Sequence, residues 1–300
     1  MKILGSYKNN DYTCTMFSDG TKIRWNDKDS FNPIKPESID LKITNQCDMA
    51  CRFCHENSTP DGKHGDILNL PFIDTMFPYS EVAIGGGNVL THPDLVPFLE
   101  CLKERKIIAS MTVNQVHFMS NIDFIKSLVD KKLIYGLGIS LTAASDSFIN
   151  AVKQFSNAVI HVINGIVRKD ELEALAHNNL KILVLGYKEF RRGKDWYAYD
   201  GKSIDNLKSQ FYNILPEIVN DGWFKCISFD NLAIKQLEPK RLMSEEDYKE
   251  FYMGDDGSFT MYVDAVNRQF AKSSVSTERY DLMDDIADMF KVVKDGVNGK

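Results

Sequence analysis

The chain has 300 residues, 43% of them hydrophobic and 26% charged, a composition that excludes a disordered or fibrous protein. Thirty-six basic residues stand against 42 acidic ones, a net charge of −6, which leaves no broad electrostatic footprint for nucleic acid. No run of roughly 18 apolar residues is present to span a bilayer, and MKILGSYKNNDYTC lacks the apolar core and cleavage pattern of a signal peptide, so a cytoplasmic protein is expected.

In chain order, DYTCTMF and TKIRW are β-prone runs separated by Ser18-Asp19-Gly20, which predicts a hairpin. DKDSFNPIKPES reads as a linker, so residues 1–37 form a short N-terminal unit. From residue 38 the pattern becomes regular. SIDLKIT predicts a strand and residues 67–77 a helix. EVAIGGG, KIIASMTVN, YGLGISLT, AVIHVING and LKILVLG follow as strands, with DLVPFLECLKERK, NIDFIKSLVDKKL, DSFINAVKQF and RKDELEALAHNN as helices between them. Such alternation means βαβ crossovers and a parallel sheet. Six strands over 38–186 predict an α/β fold, a partial (β/α)6 TIM-like barrel, with a doubly wound open sheet as the alternative. Beyond 187 the pattern breaks, and 188–300 reads as an α+β extension covering the barrel mouth. In it YKEFRRGKDWYAYDGK is a loop, SIDNLKSQFYNILPEIVNDG a helix despite Pro216, CISFDNLAIKQL and SFTMYVDAVNRQFA strands, and the last twenty residues an amphipathic helix with a frayed tail.

Side chains alternate across a strand. Ser110, Thr112 and Asn114 share one face, Gly136, Gly138, Ser140 and Thr142 another, and Asp40, Lys42 and Thr44 a third, each opposed by apolar residues. Strands covered by helices on both sides are apolar on both. A repeated small or polar face therefore predicts a lumen that holds a polar ligand.

Of six cysteines, three lie within eight residues: Cys47-Asp-Met-Ala-Cys51-Arg-Phe-Cys54. Thiolates are soft donors suited to iron–sulfur clusters or zinc. A [4Fe–4S] cube usually takes four cysteines, so three leave one iron open to another ligand. Cys14, Cys101 and Cys226 read as small apolar fillers. The C-x3-C-x2-C spacing directly after a first strand, with an aromatic residue before the last cysteine, resembles the radical S-adenosylmethionine superfamily. Ala83-Ile84-Gly85-Gly86-Gly87-Asn88-Val89-Leu90, where that family has Gly-Gly-Glu, and the following THPDL extend the resemblance. The Gly-Gly-Gly-Asn variant and the CHENSTPDGKHGD loop look most like phage and bacterial iron–sulfur proteins of unassigned function.

The resemblance implies a partial barrel over about 38–186 and a [4Fe–4S] cluster on Cys47, Cys51 and Cys54. It implies that S-adenosylmethionine chelates the open iron and, on reduction, is cleaved to a 5′-deoxyadenosyl radical that takes hydrogen from a substrate. Phe53 resembles the aromatic residue near the adenine. Gly85, Gly86 and Gly87 would let backbone approach the methionine end, with Asn88 substituting for the family's Glu. Asn114, Ser140 and Asn164, at carboxyl ends of strands, would contact the ribose or carboxylate. Lys42 could neutralise a substrate carboxylate, and Tyr187 and Asp230, with Arg191, Arg192 and Asn231, would read the substrate. That substrate is open: a small molecule, a nucleotide or a partner protein. Peptide-maturing members often carry a longer N-terminal peptide-binding domain, and Cys226 alone after Cys101 is too little for an auxiliary cluster. A one-electron reductant such as flavodoxin or ferredoxin is implied. Two alternatives remain: a structural zinc site of the three cysteines with His55 or His64, and an iron–sulfur carrier or sensor without radical chemistry.

Overall fold

The computed structural model describes residues 1–28 and 30–296. The chain forms a three-stranded antiparallel sheet and a ten-stranded sheet. The small sheet is a meander of β1 (Ile3–Asn9), β2 (Tyr12–Phe17) and β3 (Lys22–Trp25). The predicted hairpin is its second half. The strand before it was not legible, because ILGSYKN carries no clean alternation.

The large sheet contains the six predicted strands, β4 (Ser38–Thr44), β5 (Glu81–Gly86), β6 (Ile108–Asn114), β7 (Gly136–Ser140), β8 (Ala158–Ile163) and β9 (Lys181–Leu185). They lie side by side in sequence order, all parallel. The segment read as an extension adds to the same sheet. β10 (Cys226–Phe229) pairs parallel with β9, and β11 (Thr260–Asp264) pairs parallel with β4 at the other side. From β11, β12 (Gln269–Ala271) and β13 (Tyr280–Asp281) fold back antiparallel. Among the described residues β10 bonds only to β9 and β13 only to β12, so the sheet does not close.

Helices α1 (Leu95–Glu104), α2 (Gln115–Ser120), α3 (Ile122–Asp130), α4 (Asp146–Val152) and α5 (Lys169–Leu175) connect the strands. They cover one face. Ile39, Leu41 and Ile43 of β4, Val82 and Ile84 of β5, Met111 and Val113 of β6 and Ile160 and Val162 of β8 are buried in one core with Phe98, Phe118, Phe148 and Leu172 of the helices. The alternate residues, Ser110, Thr112 and Asn114 on β6 and Ser140 on β7 among them, stay part-exposed. That polar face is open on β6 and β7, while Lys42 and Thr44 on the same face of β4 are buried.

Four sequence expectations are corrected. Residues 67–77 hold only a short 3-10 turn, Pro71–Thr75, hemmed in by Pro71 and Pro78. The loop predicted before Ser203 is helical from Arg192: α6 runs Arg192–Asn220, with a kink at Asp200. CISFDNLAIKQL is a four-residue strand followed by α7 (Asn231–Leu237), because Asp230 caps that helix by accepting from the Ala233 amide, the usual work of Asp at an N-cap. SFTMYVDAVNRQFA is strand only at β11 and β12. Helix α8 (Glu245–Phe251) lies between α7 and β11, and α9 (Ile286–Asp295) matches the predicted terminal helix; its expected frayed tail lies outside the described residues. No described helix is long and apolar enough to cross a membrane.

Candidate functional site

The three clustered cysteines follow β4 directly, at the carboxyl edge of the parallel strands, where loops of α/β folds carry their ligands. The long stretch after them folds back and braces the loop. The Cys47 amide donates to the Thr59 carbonyl at 2.8 Å, the Asn45 amide to Lys63 at 2.8 Å and the Gly65 amide to Ile43 at 2.8 Å. The glycine turn clamps the other side: the Gly87 amide donates to the Thr44 carbonyl at 2.8 Å and the Asn88 amide to Gln46 at 2.6 Å.

These contacts explain the glycines differently from the sequence reading. Gly86 has φ +117°, and a Cβ there would lie 2.5 Å from the Thr44 carbonyl oxygen; a Cβ on Gly87 would lie 2.1 Å from the Gln46 oxygen. Both are required by the approach of the cysteine loop. Only at Gly85 would a Cβ meet open space, so of the three it is the one a ligand could face. Asn88 accepts from the Leu90 amide at 3.2 Å and so caps the next turn.

Cys47, Cys51 and Cys54 are each half-buried. Burial pushes the Cys47 and Cys51 thiols above their ordinary range; negative charge on Cys54 adds to this, and Arg192 opposes it. The sulfurs are thus electrostatic neighbours. Among the described residues no three His, Cys, Asp or Glu side chains are drawn into a metal-holding group. The donor chemistry fits an iron–sulfur cluster: three soft thiols on one loop, beside a guanidinium that favours their thiolate form. Neither histidine of the zinc alternative is turned to them. His64 Nδ1 is 2.9 Å from Thr44 Oγ1, and His55 Nε2 is 3.4 Å from both Glu56 Oε1 and Lys188 Nζ.

α6 begins against this loop. Arg191 donates to the Glu56 carbonyl at 2.9 Å and Arg192 to that of Ser58. Between them, Phe53 and Arg52 of the loop, Gly165 and Ile166 after β8, and Trp196 and Ile204 of α6 line a cleft of about 270 Å³. Phe53 thus lines a cleft.

Other expected site residues prove committed to the protein. Lys42 is buried, and its ammonium is held by Glu56 Oε2 at 3.0 Å and Asp264 Oδ2 at 3.1 Å. It is not free for a substrate carboxylate. Tyr187 is buried, its hydroxyl donating to the Gly193 carbonyl at 2.8 Å. Asp230 Oδ1 accepts from the amides of Ala233 and Gly186 at 2.7 and 2.9 Å; burial raises its carboxyl nonetheless. Asn164 is wholly buried and donates to Gln236 of α7 at 3.0 Å, on the helix-covered side and not the open face. Asn231 donates to Asp256 at 2.7 Å. Asn114 uses Oδ1 to cap α2; among the described residues neither its amide nitrogen nor the part-exposed Ser140 hydroxyl makes a hydrogen bond.

Three groups were missed. Glu56 is a buried carboxylate that accepts from Tyr262 at 3.1 Å as well as pairing with Lys42, tying the cysteine loop to β11 and β4. Asp40 and His161 project from β4 and β8 on the open face. Burial raises the Asp40 carboxyl to about 6, Lys188 opposing and Asp256, Asp230 and Glu56 adding to it. Burial lowers His161 to about 4, so its imidazole is neutral. It lies over Gly138, where a Cβ would be 2.4 Å from its Cε1. The alternation placed Asp40 on the open face, but a single acidic residue in a strand carries no further signal.

No protein-family model matches the chain, and no curated protein does. Solved structures do. Streptococcus suis SuiB bound to the precursor peptide SuiA is similar with a TM-score of 0.58 and 15% identity, over 89% of this chain and 66% of that one. SuiB bound to S-adenosylmethionine gives 0.56 and 15%, over 89% and 67%. This chain spans about two thirds of SuiB's length, and what the two share at this identity is the fold.

Proposed function

We propose that this protein is a radical S-adenosylmethionine enzyme. The observation that carries the reading is the cysteine loop itself: three thiols at the carboxyl edge of a parallel sheet, clamped by a glycine turn. When bound and reduced, a [4Fe–4S] cluster supplies the electron that cleaves S-adenosylmethionine into methionine and a 5′-deoxyadenosyl radical. The chain's own residues do the rest. Cys47, Cys51 and Cys54 hold the cluster. Gly85 leaves room for the methionine end, and backbone with Asn88 stands in for the absent carboxylate at Gly87. Phe53, with Ile166 and Gly165, offers an apolar slot for the adenine, and Ser140 and the Asn114 amide offer hydrogen bonds to the ribose.

The sheet is read as curled into a partial (β/α)6 barrel. Lys188, after β9, reaches Ser274, after β12, at 3.0 Å, and Asn231, after β10, reaches Asp256, before β11. Segments from the two ends of the strand order thus meet, which brings the flanks of the sheet toward each other. The likeness to SuiB, recorded with both S-adenosylmethionine and a precursor peptide, makes a peptide the first substrate class to test. A one-electron reductant such as flavodoxin or ferredoxin, and a cytoplasmic setting, belong to the same reading.

The test is anaerobic reconstitution followed by dithionite and S-adenosylmethionine. Wild type should release 5′-deoxyadenosine above a Cys51→Ala control. Single Cys→Ala changes at 47, 51 and 54 should lose the bound iron, while those at 14, 101 and 226 keep it. A full cluster with no product leaves only an electron carrier or sensor.

A further inference from the structure

Arg192, the first residue of α6, is pinned against the cysteine loop from two directions. One terminal nitrogen of its guanidinium donates to the Ser58 carbonyl, just past Cys54. Its neighbour Gly193 lies so close to the loop that a Cβ there would be 2.2 Å from the Lys188 carbonyl oxygen and 3.4 Å from that of Phe53, between Cys51 and Cys54. The Gly193 carbonyl in turn accepts from the buried Tyr187 hydroxyl at 2.8 Å. Backbone packing and one hydrogen bond thus hold this guanidinium at the thiols.

Part of its bonding capacity is unspent. The Arg192 Nε–H is buried and makes no hydrogen bond, and the hydroxyl of Ser58, the residue that Arg192 grips, is also buried without a partner. A guanidinium stays protonated, so its N–H groups can only donate, and a buried donor without an acceptor is costly and rare. Neighbouring cations are engaged elsewhere. Arg191 donates to the Glu56 carbonyl at 2.9 Å, Arg52 lies 4.9 Å over the Trp196 ring and Lys188 reaches Ser274 at 3.0 Å. Arg191 has Glu56 Oε2 at 3.7 Å, whereas among the described residues Arg192 has no carboxylate within ion-pair distance. What its charge does reach is sulfur, for it draws the Cys47 and Cys51 thiols toward their thiolate form against their burial. A buried cationic donor placed there calls for a soft, anionic acceptor.

We propose that Arg192 donates its Nε–H to a sulfur of the [4Fe–4S] cluster at the edge held by Cys47 and Cys51, and so raises the potential at which the cluster is reduced. This rests on the assignment of the cluster to the three cysteines and not on the radical step. Reduction from [4Fe–4S]2+ to [4Fe–4S]+ takes one electron from the reductant and adds one negative charge, while the proton stays on nitrogen. A donor aimed at sulfur therefore holds the reduced form more tightly, and hydrogen bonds to the sulfurs are among the factors that set such potentials. A charge-assisted bond that favours the reduced form by roughly ten-fold is worth about 59 mV in a one-electron couple.

The test is pulsed EPR on protein carrying [15Nε]-arginine, reconstituted anaerobically and reduced with dithionite in the absence of S-adenosylmethionine. Wild type should show a 15N coupling to the reduced cluster that vanishes in Arg192→Lys and survives in Arg191→Lys. Arg192→Lys keeps the charge and lacks the Nε–H, so in a potentiometric titration its midpoint should fall by about the ten-fold equivalent, while that of Arg191→Lys stays near wild type. Loaded wild type without the coupling overturns the proposal: the Nε–H then bonds to water or awaits another acceptor. An unchanged midpoint in Arg192→Lys, or an equal fall in both variants, overturns it as well, the latter showing a general loosening of the loop. If Arg192→Lys does not hold a cluster, survival of the wild-type coupling in both Arg191→Lys and Arg52→Lys decides for the proposal and its loss in either decides against. Wild type that takes up no iron refutes the cluster assignment itself, whereas a cluster without the coupling refutes only the role of Arg192.

Discussion

At the residue scale, the three consecutive glycines have separate duties. Gly87 lets the turn lie against the Gln46 carbonyl, where a Cβ would be 2.1 Å from oxygen, while Gly85 faces open space. Gly87→Ala should push the cysteine loop out of place, lowering iron content after reconstitution and the melting temperature together. Gly85→Ala should leave both unchanged and weaken only S-adenosylmethionine binding. Iron assay, thermal unfolding and ligand titration on the two variants check this. Equal stability of both would mean that the loop yields more easily than the close approach implies. Lys42 makes the same point from another side. It was legible as an inward lysine, yet its two carboxylate partners come from 14 and 222 residues away along the chain, and no local pattern announces them.

At the scale of elements, α6 shows how a long helix accommodates a proline. Pro216 has no amide to donate to the carbonyl four residues back, that of Tyr212. Arg241 supplies the missing bond at 2.6 Å, its guanidinium lying 3.8 Å over the Tyr212 ring. Arg241→Ala should cost about 1 kcal/mol, one charge-assisted bond at an exposed site. In a Pro216→Ala background, where the helix makes the bond itself, the same change should cost markedly less. A double-mutant cycle by denaturant unfolding measures the difference; strict additivity would show that the arginine serves something else. The helix start was not legible for a related reason. RRGKDWYAYDGK has two glycines and no strong periodicity, and its first turn is fixed by Arg191 and Arg192 gripping carbonyls of the cysteine loop.

For the whole molecule, the meander is fastened at the amino end of the large sheet, away from the cysteine loop. Glu37, immediately before β4, is fully buried and takes a bidentate pair from Arg24, a charge from Lys22 at 3.3 Å and the Tyr12 hydroxyl at 2.6 Å. Burial by itself would raise its carboxyl, but the bonds from Arg24 and the charges of Lys22 and Arg24 outweigh it and hold it below the ordinary Glu range. A depressed folded-state value means that stability is fully present above the unfolded Glu range and is lost as pH falls below it. Glu37→Ala should cost about 3–5 kcal/mol, the usual penalty for stranding buried cations, and should flatten the acid limb of the stability–pH curve. Chemical denaturation from pH 7 down to 3 checks both, and an unchanged acid limb would place the sensitivity elsewhere.

What the sequence determined by itself is what period and spacing encode. Strands alternating with helices dictate a parallel sheet, the two-residue alternation dictates which face is apolar, and three cysteines in eight residues dictate a soft donor set. Tertiary structure alone decided the rest: that β10 and β11 extend the sheet at its two sides, that Glu56 and Asp264 close on Lys42, and that Tyr187 and Asn164 serve the fold. The physical reason is range. Burial of apolar surface is non-directional and written into neighbouring residues, whereas a hydrogen bond or ion pair exists only when two groups come within about 3 Å of each other, and chain segments hundreds of residues apart reach that distance only once the fold is complete.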